Sequence, residues 1–165
     1  MPLICFAHGK ESGPAGRKIM ALSRVAHDLG YETIAPDFTS TFDPEVRLKM
    51  LLSLYENNTA PDILVGSSMG GALVLAASQK LKPKALFLMA PAVGLPGYEQ
   101  IELRPYAENT VIVHGWDDDI VPVDNVFRFA RENRAELHIL DDGHALTSKL
   151  GDVVCLFRSF LDPSA

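Results

Sequence analysis

The sequence predicts an α/β fold, a three-layer sandwich around a mostly parallel six-stranded sheet. Three observations lead there. Short apolar, β-rich runs alternate with stretches of helical periodicity almost from end to end. The runs are continuous rather than alternating, the pattern of strands covered on both faces. The residues that carry chemistry fall just after the strands, at the edge where such sheets bind ligands.

The run Leu3–Ala7 is the first strand. Ile19, Leu22, Ala26 and Leu29 follow at 3-4-3 spacing and define a helix that Gly30 stops. Glu32–Ala35 is a short second strand ended by Pro36. Asp43 as N-cap and Pro44 at the first helical position open a second helix, with Val46, Met50 and Leu54 on one face. Ile63–Val65 is the third strand and Gly66–Gly71 a glycine-rich turn. Ala72–Leu81 is apolar nearly all round, as a buried helix must be. Ala85–Met89 is the fourth strand, and residues 90–109 form a long connection with room for a short helix. Thr110–His114 and Glu136–Leu140 are strands five and six, flanking a helix over Pro122–Asn133. Leu146, Leu150, Val153, Phe157 and Phe160 give the last helix its apolar stripe.

At 165 residues the chain fits one domain, 1–165, large enough to bury a core without staples. With 15 Lys plus Arg against 21 Asp plus Glu, the net charge is −6. No basic run offers a face to a phosphate backbone, so nucleic acid is not an expected partner. Cys5 and Cys155 both sit in apolar runs and are expected to be free, buried thiols. No Cys/His cluster has zinc-ligand spacing, and no apolar run approaches the ~18 residues that span a bilayer. The amino terminus lacks a basic leader region, so the expectation is a soluble cytoplasmic protein.

The turn Gly66-Ser67-Ser68-Met69-Gly70 fits G-x-S-x-G between a strand and a helix. A nucleophilic serine there sits on a sharp turn that crowds the positions two before and two after it, hence the glycines. Only Ser68 has glycine at both; Ser67 has Val65 at −2. A serine hydroxyl needs a base. Of the five histidines, His27 reads as a surface residue, His138 as a packed or edge residue of strand six, and His8 and His114 as turn-bracing residues. His144, in the polar loop after strand six, can reach back across the sheet to Ser68. A carboxylate must orient that imidazole. Asp117, Asp118 and Asp119 after strand five are the candidates. The turn lacks the Lys-Ser/Thr of a P-loop, which argues against a nucleotide site.

Taken in order, His8-Gly9, GSSMGG over 66–71, HGWDDDIVP over 114–122 and DDGH over 141–144 make the chain resemble the α/β-hydrolase superfamily from Leu3 to Leu161. The resemblance implies a trimmed, lidless version of that fold. In the family the segment after strand five reads H-G-x-x-D-x-x-V-P, which selects Asp118. It also implies an oxyanion hole from the backbone N–H groups of Met69 and Lys10, with no metal or organic cofactor. The expected function is a serine hydrolase acting on small or exposed acyl esters through an acyl-enzyme, with thioesters, lactones or small amides as alternative substrates. A non-catalytic ligand-binding or interaction module on the same fold is the reading from another class. Lys10 and Glu11 place charges where many relatives are apolar, and Lys10 reads as solvent-facing. Leu95, Tyr98 and Ile101 would form a short flap and Phe38–Phe42 an aromatic wall, or these residues close the core.

Overall fold

The computed structural model describes residues 1–164. Its elements are β1 (Leu3–Ala7), α1 (Arg17–Asp28), β2 (Glu32–Ile34), α2 (Pro44–Ser53), β3 (Ile63–Ser67), α3 (Met69–Leu81), β4 (Ala85–Met89), β5 (Asn109–Gly115), α4 (Val123–Asn133), β6 (Glu136–Leu140) and α5 (Leu150–Leu161). The six strands form one sheet in the order β2-β1-β3-β4-β5-β6. Every pairing is parallel, so each connection must cross a face of the sheet.

Successive strand residues point to opposite faces, and each face has its own core. Cys5, Leu64, Leu86, Leu88 and Ile112 pack with α2, α3 and α4. Ile4, Phe6, Val65, Phe87, Met89, Val111 and Val113 pack with α1 and α5. Strands buried on both sides explain why their sequences read as unbroken apolar runs. The edge strands β2 and β6 are less buried, which is why β2 spells Glu-Thr-Ile.

The chain runs from β1 outward to β2, then back past β1 to β3. Beside β1 the strand order reverses, and a crevice opens at the carboxyl ends of β1 and β3. The turns after those two strands therefore meet there.

Several details depart from the sequence reading. On α2 the buried residues are Arg47 and Leu51, while Val46 and Leu54 are exposed. The helix is turned so that the Arg47 guanidinium meets backbone carbonyls inside the molecule. The 90–109 connection contains no helix. Leu146 precedes α5 in a turn at φ 53°, although its side chain is fully buried. Cys5 is buried but Cys155 is exposed, because α5 turns Val153 and Phe157 toward the sheet. Both thiols are free.

Candidate active site

Ser68 lies between β3 and α3 with φ 56° and ψ −117°, a region that L-residues avoid. The surrounding bonds hold it there. Ser68 N–H donates to Met89 O of the neighbouring strand at 2.9 Å. Its carbonyl accepts from Gly71 and Ala92 N–H, each at 3.0 Å. The flanking glycines are required by contact rather than by φ. A methyl on Gly66 would lie 2.3 Å from Gly70 O, and one on Gly70 would lie 2.0 Å from Ala7 O. This close approach brings the start of α3 against the end of β1.

Asp118 and His144 reach Ser68 from the turns after β5 and β6, across the end of β4. His144 Nε2 is 3.0 Å from Ser68 Oγ, and His144 Nδ1 is 2.7 Å from Asp118 Oδ2. An ionised carboxylate only accepts, so Nδ1 carries the proton and Nε2 is left to accept from the Ser68 hydroxyl. The Asp118 side chain is wholly buried. Its other oxygen accepts from the N–H groups of Ile120 at 2.9 Å and Val121 at 2.7 Å. Buried charge is tolerated when it is hydrogen-bonded in this way. Asp117 and Asp119 are exposed, and among the described residues the carboxylate bonded to His144 is that of Asp118.

The two loops are laced together. Trp116 N–H donates to Leu140 O at 2.9 Å and Asp117 N–H to Asp142 O at 3.1 Å. Asp142 also accepts from Gly143 and Lys149 N–H at 2.8 Å each, and Lys18 Nζ donates to Ala145 O at 2.8 Å. Asp142 thus shapes the His144 turn. The sequence offered it only as one of two adjacent aspartates.

The other histidines fall as their positions suggested. His8 is fully buried, donates from Nδ1 to Gly9 O at 2.8 Å and accepts at Nε2 from Phe38 N–H at 2.9 Å. His114 is fully buried behind Asp118 and donates from Nε2 to Val121 O at 3.0 Å. Burial lowers the pKa of both imidazoles, and for His114 the nearby Asp118 opposes the shift only in part. His27 bonds Thr33 Oγ1 at the surface, and His138 bonds Glu136 on the edge strand.

Gly9 packs against the Ser68 turn: a methyl on it would lie 3.4 Å from Ser68 Cβ. The backbone N–H groups of Met69 and Lys10 donate to no other group among the described residues. The Lys10 side chain is exposed, with Nζ 5.7 Å from the Phe42 ring centre. Phe38 closes the core against His8, whereas Phe42 is 58% exposed. Leu95 and Tyr98 pack on the core, and Tyr98 and Ile101 line a groove of about 350 Å³ with Asp43, Pro44 and Glu45. A cavity of about 230 Å³ opens beside the Ser68 turn between His8, Ser12, Ser67, Lys18 and Ala145.

Among the described residues no group of His, Cys, Asp or Glu side chains has the geometry to hold a metal ion. No described helix is long and apolar enough to cross a membrane. Arg47 is the residue that sequence reasoning passed over. Its only sequence signal was its place one turn inside a well-capped helix.

No family model matches this chain, and no curated protein does. Solved structures do. A protein of the alpha/beta hydrolase superfamily from Xanthomonas campestris pv. campestris superposes with a TM-score of 0.91 at 32% identity, covering 99% of each chain. Est1E from Butyrivibrio proteoclasticus gives a TM-score of 0.81 at 20% identity, over 97% of this chain and 86% of that one. An α/β serine hydrolase without a lid, also from Xanthomonas campestris, gives 0.68 at 19% identity, over 94% of this chain and 79% of that one.

Proposed function

The chain belongs to the α/β-hydrolase superfamily, and from that membership we propose that it is a serine hydrolase cleaving small or exposed acyl esters. The observation that carries the reading is the unbroken chain from Ser68 Oγ through His144 to Asp118, at 3.0 and 2.7 Å. Three residues from separate turns meet with the spacing that nucleophilic acyl transfer needs.

In the proposed reaction the Ser68 oxygen attacks the ester carbonyl and His144 Nε2 takes its proton. The developing imidazolium is stabilised by Asp118. The oxyanion is held by the N–H groups of Met69 and Lys10. His144 then protonates the departing alcohol, leaving an acyl group on Ser68. Water, deprotonated by His144, attacks that acyl group and regenerates the serine.

The open face over Ser68 argues for small acyl groups. Among the described residues no helix or strand forms a separate lid over Ser68, and the cavity beside its turn is about 230 Å³. Hydrolysis of nitrophenyl acetate and octanoate by wild type and Ser68→Ala tests this. Turnover of the acetate by wild type alone is expected. A strong octanoate preference would contradict the short-acyl specificity. Equal release by both proteins would contradict the reaction itself.

A further inference from the structure

In the turn after β1, three of the four backbone groups of Gly9 and Lys10 are held by other parts of the chain. Gly9 N–H donates to Ser12 Oγ at 2.9 Å. Gly9 C=O accepts from His8 Nδ1 at 2.8 Å and from Arg47 Nη1 at 3.0 Å. Lys10 C=O accepts from Arg47 Nη2 at 3.0 Å. Of these four groups, Lys10 N–H alone has no partner among the described residues. The peptide bonds are trans, so the C=O and N–H of one unit point in opposite directions. Drawing Gly9 O toward Arg47 therefore turns the Lys10 N–H away from it.

Arg47 is an unusual residue to find in this place. It is fully buried, and among the described residues no carboxylate lies within ion-pairing distance of it. Its Nε donates to Thr41 O at 2.7 Å, so all three of its hydrogen bonds go to backbone carbonyls. Burying an arginine without a counter-charge is costly. Hydrophobic packing alone does not account for it, since a leucine would pack as well. What the guanidinium supplies is a rigid fork that spans two successive carbonyls, which a lysine cannot do.

We propose that Arg47 is a positioning residue for the oxyanion site, fixing the Gly9–Lys10 peptide so that Lys10 N–H is presented to the substrate oxygen. The proposal rests on the serine-hydrolase reading above. It explains why α2 buries Arg47 in place of the Val46 and Leu54 face. The helix start is set by Asp43, whose Oδ1 accepts from Glu45 N–H at 2.9 Å and Val46 N–H at 3.3 Å. That cap places Arg47 one turn in, beneath the β1 turn.

The test compares wild type, Arg47→Lys and Arg47→Gln on nitrophenyl acetate. Rates are counted per serine titrated to completion with a fluorophosphonate. Folding is followed by circular dichroism. The expected result is a loss of kcat of about 10- to 1,000-fold, the range for a compromised oxyanion donor, with KM near wild type. Inhibition by a trifluoromethyl ketone, whose serine adduct carries an oxyanion, should weaken in parallel. The pH dependence of kcat should keep its midpoint, since His144 is untouched. A folded variant with near-wild-type kcat, or equal losses in KM and kcat with unchanged ketone inhibition, would overturn the proposal. So would loss of fold in both variants, which would assign Arg47 to the framework. If wild type itself is not labelled at Ser68, the hydrolase reading fails, whatever Arg47 does.

Discussion

Ser68, His144 and Asp118 come from three different turns, and their roles separate by what each atom can accept or donate. Asp118 Oδ2 accepts from His144 Nδ1, so Asp118→Asn would present an amide where an acceptor is required. It should cut kcat by about 10⁴ with the fold intact, whereas Ser68→Ala should cost about 10⁶. Steady-state kinetics on purified variants check both values. A loss of less than about tenfold for Asp118→Asn would assign the carboxylate to structure alone. The sequence made these residues unequally visible. Ser68 was legible because its crowded turn demands two glycines at fixed offsets. His144 was legible only through its position after the last strand. Asp118 could not be separated from Asp117 and Asp119 by residue type, because what distinguishes it is burial and two N–H donors. Arg47 was not legible, since an arginine in a helix reads as solvent-facing until the fold places carbonyls around it.

The elements followed from apolar periodicity, and one departure came where a polar group overrode it. On α2 the face was set by guanidinium–carbonyl bonds. On α5 the stripe was right, but its first residue, Leu146, belongs to a turn. The closeness of α3 to β1 could not be read from pattern alone, yet it leads to a sharp contrast. Gly70→Ala would drive a methyl to 2.0 Å from Ala7 O, whereas Gly30, at φ 84°, has open space around its Cβ position. Gly30→Ala should cost about 1–2 kcal/mol for the left-handed backbone. Gly70→Ala should cost more than that, by adding the overpacking strain of a rigid core. Urea unfolding of the two variants checks the order. The thiols give a second contrast. Cys155 should react with a water-soluble disulfide in the native protein. Cys5, buried and with its pKa pushed up to about 11, should react only on unfolding. Two fast-reacting thiols would contradict the packing of β1.

The molecule as a whole places two buried, neutral imidazoles beneath the edge that carries the candidate site, and that has a pH signature. Burial lowers the pKa of His8 and His114 in the folded state, while in the unfolded chain they titrate near about 6.5. Between those values the unfolded chain binds more protons, so stability rises with pH. The contribution is complete above about pH 6.5 and is lost as pH falls through the folded-state values. Thermal melts should show Tm falling as pH drops from about 7 to about 5, with a shallower slope in His114→Gln; a level Tm would contradict the neutral buried state. Layer order and strand direction were legible at this scale because apolar runs alternate with helices along most of the chain, the helix-free 90–109 connection aside. The crevice beside β1 was legible in kind but not in detail, since the bonds from Phe38 N–H to His8 and from Arg47 to Gly9 O join segments distant in sequence. The central claim is that this crevice holds an activated serine. Intact mass after incubation with a fluorophosphonate tests it most directly. A single phosphonyl adduct on wild type and none on Ser68→Ala is the predicted result. No adduct on a folded wild-type protein, or the same adduct on both, would contradict it.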